Sequence, residues 1–420
     1  MLNGLRRYLS KLGPGLITGA SDDDPSGIST YSVAGASAGY SMLWVTLLTT
    51  PMMAVIQGMC ARIGMVTGVG LSTTMRRRLP AWLLYPLGLS VIIANTINAG
   101  ADLEGMGAAA QLVFGLPRIA WIVLFGAILI VIQVFLSYRL FASIVKWLTV
   151  ALFAYVITAF VVHPPWAMVL RHLVVPEIHV NSAWLTTLVA VLGTTITPYL
   201  FFWQAALEVE EEKQIGRQSE KSRKGATKQE IKDVHADVNG GMIFSNLVAF
   251  FIIVTTASTL GAHGKHDIAS AQDAARALAP LVGRFASWLF ALGMVGTGLL
   301  AIPALVASSA YILVGSFGFR QGLDRKPARA PQFYGTLVAG MIVATIMGLL
   351  NIDPIGALFW CAVINGVVAV PILVVIVLFA SDQRIMGEWT SSVAARIWGW
   401  VTVAAMAAAA IGMFAFWGKS

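Results

Sequence analysis

The sequence predicts an all-α protein that crosses a lipid bilayer many times. Of its 420 residues, 57% are hydrophobic and 48 are charged (28 Lys+Arg and 20 Asp+Glu), about 11%. A soluble domain carries roughly 25% charged residues. The mean hydropathy is +0.78, so too little polar surface exists to cover a water-soluble globule. Apolar stretches of about 20 residues, the length that spans a bilayer, recur from Leu12 to Trp417. This pattern excludes a nucleic-acid binder despite the net charge of +8, excludes disorder, and speaks against a soluble enzyme. The expected partners are the lipid bilayer and a small-molecule substrate, with neither catalytic residues nor a cofactor. Cys60 and Cys361 both lie inside apolar stretches, which leaves no disulfide framework and no Cys-rich metal site.

Polar breaks divide the chain into eleven spans, at 13–38, 42–65, 83–112, 119–137, 140–162, 184–210, 238–261, 284–311, 332–350, 355–380 and 395–417. The first follows a basic start, Met1 to Lys11, that has no small-residue cleavage site, so it reads as a span and not as a signal peptide. Cytoplasmic loops carry the excess of Lys and Arg. With the N-terminus inside, 22 basic residues fall on the inner side and six outside: Arg118, Arg171, Lys265, Arg276, Arg284 and Lys419. The expectation is a bacterial-type inner membrane, N-terminus cytoplasmic and C-terminus outside. The tract Glu212–Lys232 carries both signs and reads as a solvated cytoplasmic loop, with binding to anionic headgroups as the alternative.

Two spans contain breaks that a lipid-facing helix does not tolerate. The first is Ser21-Asp22-Asp23-Asp24-Pro25-Ser26-Gly27. Pro25 lacks a backbone donor and Gly27 is unconstrained, so the helix is expected to unwind over Asp24–Gly27. Three carboxylates at membrane depth are tolerable only where broken backbone lines a cavity. The second is Gly193-Thr194-Thr195-Ile196-Thr197-Pro198-Tyr199, in span 6. Span 1 opens the first five spans and span 6 the second five. Two interrupted helices in corresponding positions point to an inverted-repeat transporter with its site at the midplane; the plainer reading is two proline kinks in a channel or structural bundle. The resulting division is residues 1–163 (spans 1–5), 164–380 (spans 6–10, with the loop 212–236) and 381–420 (the eleventh span).

Several motifs carry a resemblance. They are Gly13-Pro14-Gly15, Asp24-Pro25, Ala61-Arg62-Ile63-Gly64-Met65-Val66-Thr67-Gly68, Leu112-Val113-Phe114-Gly115-Leu116-Pro117 and Ser381-Asp382-Gln383-Arg384-Ile385-Met386-Gly387. As an ordered set they resemble the natural-resistance-associated macrophage protein (NRAMP) superfamily of proton-coupled manganese and iron importers. That resemblance implies a LeuT-like fold: two inverted five-helix repeats and an eleventh helix. It also implies a metal site at the two breaks, and here this chain departs. The family's Asp-Pro-Gly-Asn becomes Asp24-Pro25-Ser26-Gly27, and its Met-Pro-His becomes Thr197-Pro198-Tyr199. The metal-binding backbone carbonyls would belong to Ser21 and Thr194. A second family histidine falls on Gln204, and an acidic pair in span 3 falls on Ala99 and Asp102.

One matched carboxylate therefore remains, with no thioether or imidazole. All-oxygen sites suit Mg²⁺, Ca²⁺ or Mn²⁺, and neither Tyr199 nor Gln204 titrates near neutral pH as a histidine does. The substitutions also make the cavity roomier and more aromatic. The main expectation is a secondary transporter carrying a small aromatic carboxylate such as anthranilate by alternating access. Its ring would stack on Tyr199, and its carboxylate would rest on a half-helix N-terminus. A divergent branch of the superfamily suggests this substrate. The substrate-binding candidates are Ser21, Asp24, Gly27, Thr194, Thr197 and Tyr199. The alternative is a Mn²⁺ or Mg²⁺ importer using Asp24 as its metal-binding carboxylate, and a third reading is a non-transporting receptor on the same fold. Asp22, Asp23, Asp102, Glu104 and Gln204 are candidates for an ion pathway. For Asp22 and Asp23, capping of the second half-helix, a solvated vestibule and an oxygen cage shared with Asp24 all stay open. Phe201, Phe202 and Trp203 read as lipid-facing or packing residues. Glu208, Glu210, Glu211 and Glu212 read as solvated charge. Asn95, Asn98 and Asn365 read as cavity-lining or as interhelical hydrogen-bonding groups.

Overall fold

The computed structural model describes residues 13–135, 151–265, 268, 270–323, 325–350 and 353–417. The basic residues Arg6, Arg7, Lys11, Arg139, Lys146 and Lys419, and span 5 before residue 151, lie outside the described residues. Helices come in the order α1 (Pro14–Asp22), α2 (Pro25–Ala38), α3 (Leu43–Thr67), α4 (Leu71–Arg78), α5 (Ala81–Phe114), α6 (Arg118–Phe135) and α7 (Phe153–Val161). There follow α8 (Trp166–Val174), α9 (Ser182–Thr195), α10 (Pro198–Gln214), α11 (Glu220–Arg223) and α12 (Lys228–Thr259). The chain ends with α13 (Ala271–Arg276), α14 (Ala279–Val282), α15 (Ala286–Phe317), α16 (Pro331–Gly348), α17 (Pro354–Ser381), α18 (Gln383–Met386) and α19 (Val393–Ala415).

Among the described residues, nine helical runs are long and apolar enough to cross a membrane. Eleven spans were expected, and the difference has two sources. The second half of span 1 runs into span 2 as one stretch, Pro25–Thr67. Span 5 is described only from residue 151, and its helix covers Phe153–Val161.

Both breaks are present, the first shifted toward the N-terminus and the second narrower than expected but inside the predicted segment. The first falls on Asp23 and Asp24, because Pro25 begins a helix instead of ending one. Proline at the first helical position gives up a donor that has no intrahelical partner there, and its fixed φ suits the helix. Asp24 is the N-cap, its carboxylate accepting from the Gly27 amide. The second break falls on Ile196 and Thr197, with Pro198 starting α10 in the same way. Gly27 is thus inside α2 and not part of the unwound segment.

Small residues let backbones approach where the breaks must be held, as in other membrane bundles. A Cβ built on Gly19 would lie 2.3 Å from the Gly241 carbonyl oxygen, so α1 and α12 touch backbone to backbone. A Cβ on Gly193 would lie 2.1 Å from the Ala362 carbonyl oxygen and 2.3 Å from the Gly366 nitrogen, which seats α9 on α17. The start of α1 is tied down by Asp237 of α12, whose carboxylate accepts from the amides of Gly13 (2.9 Å), Gly15 (2.6 Å) and Leu16 (3.2 Å). A helix N-terminus offers free N–H groups and a positive dipole end, and a carboxylate answers both.

The hydrophilic tract after α10 is mostly exposed, as expected of a solvated loop, but it is folded and anchored at a few buried points. Arg223 is buried, donating to the carbonyls of Gly68 (3.0 Å), Arg217 (3.1 Å) and Gln218 (2.7 Å). Arg77 of α4 holds Glu220 with two bonds of 2.7 and 2.8 Å. That pairing holds the Glu220 carboxyl down at about 2, below its usual value of 4.5.

Candidate substrate site at the two helix breaks

The four half-helices α1, α2, α9 and α10 bring their broken ends together. Gly27 marks the meeting point: a Cβ placed there would have Asp24 Oδ1 and Thr194 Oγ1 at 3.4 Å and the Asp22 carbonyl oxygen at 3.5 Å. Three oxygens, from both sides of the first break and from α9, converge at ordinary contact distance on the space beside the Gly27 Cα. The Tyr199 hydroxyl, at the start of α10, donates to the Ser21 carbonyl at 2.6 Å. The Tyr31 and Thr195 hydroxyls bond at 2.9 Å on the same seam.

Asp24 sits at the centre, 2% exposed. One oxygen accepts from the Ser26 hydroxyl and the Gly27 amide, both at 2.7 Å, and the other from Asn98 Nδ2 at 3.0 Å. An ionised carboxylate has about four acceptor positions, so these bonds orient Asp24 and leave capacity for a ligand. Asn98 Nδ2 also approaches Asp102 at 3.3 Å, and Asn365 donates to Asn98 Oδ1 at 3.4 Å. A neutral amide therefore bridges two buried carboxylates. Asn95 is engaged elsewhere, with Ser308 and Ser309 of α15. The hydroxyls of Thr194 and Thr197 are buried without a hydrogen-bond partner in the protein, as is one oxygen of each of Asp22 and Asp23. Buried polar groups are ordinarily satisfied, so these orphans point to a species that supplies what the protein does not.

Asp22 and Asp23 do not cap α2, and they do not sit in a solvated vestibule. Each is 1% exposed, and both share the Ser245 hydroxyl of α12, at 2.6 and 3.1 Å. Their Ser245 contacts set them apart from the Asp24 network, and no group of three or more His, Cys, Asp or Glu side chains suited to a metal forms among the described residues. The three-aspartate cage is therefore not built. Glu104 belongs to a different environment from Asp102, since residues two apart on a helix face different ways. It pairs with Arg118 at 3.4 Å.

Of the two readings of the aromatic run, packing holds and lipid-facing does not. Tyr199, Phe201, Phe202 and Trp203 are all at most 1% exposed, so none faces lipid. Gln204 donates to Glu208 at 2.8 Å, and Glu208, Glu210 and Glu212 are buried, not solvated. Glu210 holds Lys213 at 2.9 Å and accepts from Tyr311, while Glu212 is bound by Arg217 at 2.7 Å. Sequence reasoning did not single out Ser245, Tyr31 or Asp237. Their partners are 164 to 224 residues away, beyond any local signal.

Membrane-crossing helices that surround two facing helix breaks, with a carboxylate between them, define a secondary transporter. The chain belongs to the NRAMP family: the family model for "Natural resistance-associated macrophage protein-like" matches residues 15–415. It is similar to the divalent metal cation transporter MntH of Mesorhizobium japonicum, 26% identical over 411 residues, covering 95% of this chain and 87% of the relative. MntH of Deinococcus radiodurans is 28% identical over 404 residues, covering 95% and 88%. Among solved structures, the Eremococcus coleocola manganese transporter, in complex with an aromatic bis-isothiourea compound, superposes with a TM-score of 0.75 at 18% identity. That match covers 99% of this chain and 89% of the other. The nucleobase-cation-symport transporter Mhp1, closed around bromovinylhydantoin, gives 0.55 at 12% identity over 96% and 92%. These likenesses show the LeuT-like fold.

Proposed function

We propose that this transporter carries a hard divalent cation, Mn²⁺ or Mg²⁺, bound by oxygen alone between the two breaks. One observation carries the reading. The ionisable side chains at the first break and on α5 beside it, Asp22, Asp23, Asp24 and Asp102, are all acids, and all are buried. Buried charge of one sign favours an opposite charge, so a cation fits where a carboxylate substrate would add to the repulsion. Asp24 supplies the charged ligand. Thr194 and Thr197 supply hydroxyls with no protein partner, and the Ser21 carbonyl retains a second lone pair beside its bond to Tyr199. The named relatives transport divalent metals, which supports this reading over the aromatic acid.

The Tyr199 hydroxyl, which the aromatic-carboxylate reading needs as a substrate contact, donates instead to the Ser21 carbonyl. Thr197 and Tyr199 stand where the family has its thioether and imidazole donors, which argues against selection of soft metals. Movement is by alternating access about the breaks, with the basic face cytoplasmic. The test is uptake of Mn²⁺ and Mg²⁺ into proteoliposomes containing wild type or Asp24→Asn. Asparagine keeps the cap on α2 and removes the charge. Saturable uptake lost in the variant supports the proposal; uptake unchanged in the variant refutes it.

A further inference from the structure

A cavity of about 240 Å³ opens on the basic face, far from the breaks in sequence and lined by the end of α3, by α4, by the connection before α12 and by α18. Its lining includes four cationic side chains, Arg77, Arg78, Lys224 and Arg384, and no acid. Two carboxylates stand beside it. Glu220 is held by Arg77 and lies 3.5 Å from Lys224, and Asp382 accepts from the backbone amide of Arg384. Four cations against two anions leave an excess of two positive charges. Arg78 is fixed at the mouth of α18 by donating to the Arg384 backbone carbonyl at 2.7 Å. The threonines of the lining turn their hydroxyls to nearby backbone carbonyls, which leaves the cations as the recognition groups.

We propose that this cavity binds a phosphate group, that of an anionic phospholipid at the basic face of the membrane. Guanidinium forks match phosphate oxygens, and basic pockets at helix ends on this side of a membrane suit anionic headgroups. The level is right as well. Trp82, 75% exposed, and Tyr85 stand at the start of α5, a few residues after Arg78, where amphipathic rings occupy the headgroup zone. The site is independent of the substrate reading and requires only that the basic face meets lipid.

Native mass spectrometry of the full chain, with phosphatidylglycerol or phosphatidylcholine added, tests the proposal. Wild type should retain phosphatidylglycerol preferentially. Arg78→Gln with Lys224→Gln should lower that preference by about fivefold per removed charge, the factor expected for roughly 1 kcal/mol per basic side chain. The charge-matched pair Lys221→Gln with Lys228→Gln, outside the cavity lining, should behave as wild type, and unchanged thermal unfolding without lipid establishes that each variant is folded. A competing arm with inorganic phosphate distinguishes the source. Failure of phosphate to displace the lipid supports the headgroup, whereas equal protection by phosphate reassigns the site to a soluble anion. No preference over phosphatidylcholine, or equal loss in both double variants, overturns the proposal.

Discussion

The hydroxyl of Tyr199 donates to the carbonyl oxygen of Ser21 at 2.6 Å, joining the end of one broken helix to the start of the other. In a broken helix the last carbonyls have no partner along the chain. This chain satisfies one of them with a side chain 178 residues away. The bond ties α1 to α10 through the Tyr199 side chain.

Tyr199→Phe tests that role. It keeps the ring and removes the donor, so thermal unfolding in detergent should show a loss of about 0.5–1.5 kcal/mol. Divalent-cation uptake should persist, since the Ser21 carbonyl becomes more available. Uptake abolished at unchanged stability would make the hydroxyl a substrate contact.

At Gly27, stability and function should move in opposite directions. The nearest atoms to an added Cβ stand at 3.4 to 3.5 Å, ordinary contact, and the position is helical. Gly27→Ala should therefore fold and gain roughly 0.5–1 kcal/mol from helix propensity. The methyl would occupy the point where Asp24, Thr194 and the Asp22 carbonyl converge, so cation uptake should fall. Undiminished uptake would place the substrate elsewhere.

Gly193→Ala should have the opposite outcome. Its Cβ would strike the α17 backbone at 2.1 and 2.3 Å, which no side-chain adjustment relieves. Chromatography of the purified variant should give no monodisperse protein. A well-folded Gly193→Ala would refute the close approach of α9 and α17.

Asp237→Ala removes the acceptor for three amides at the start of α1. Each donor left unpaired costs about 1–3 kcal/mol where it is buried. Hydrogen exchange over residues 13–20 should accelerate while that of α15 stays as in wild type. Equal acceleration in both would indicate global destabilisation.

The breaks were legible because proline and glycine act locally, and so was the departure of the donor set from thioether and imidazole to oxygen. The exact break positions were not: whether Pro25 and Pro198 end one half-helix or begin the next depends on the capping geometry at Asp24 and Thr197. Glu208, Glu210 and Glu212 were read as solvated because charge is ordinarily exposed. Their burial depends on Gln204, Lys213 and Arg217 folding back along or just beyond the same helix. Ser245 gives no sequence signal at all, since a serine in an apolar run is unremarked until Asp22 and Asp23 are placed against it.

The central claim is that charge at Asp24, supported by oxygen donors, selects the substrate. Calorimetric titration of purified wild type and Asp24→Asn with Mn²⁺, Mg²⁺ and anthranilate tests it most directly. The account predicts saturable binding of both cations to wild type, with Mn²⁺ no tighter than Mg²⁺. It predicts loss of both in Asp24→Asn and no binding of anthranilate to either. Anthranilate binding without cation binding, or cation binding indifferent to Asp24→Asn, would contradict it.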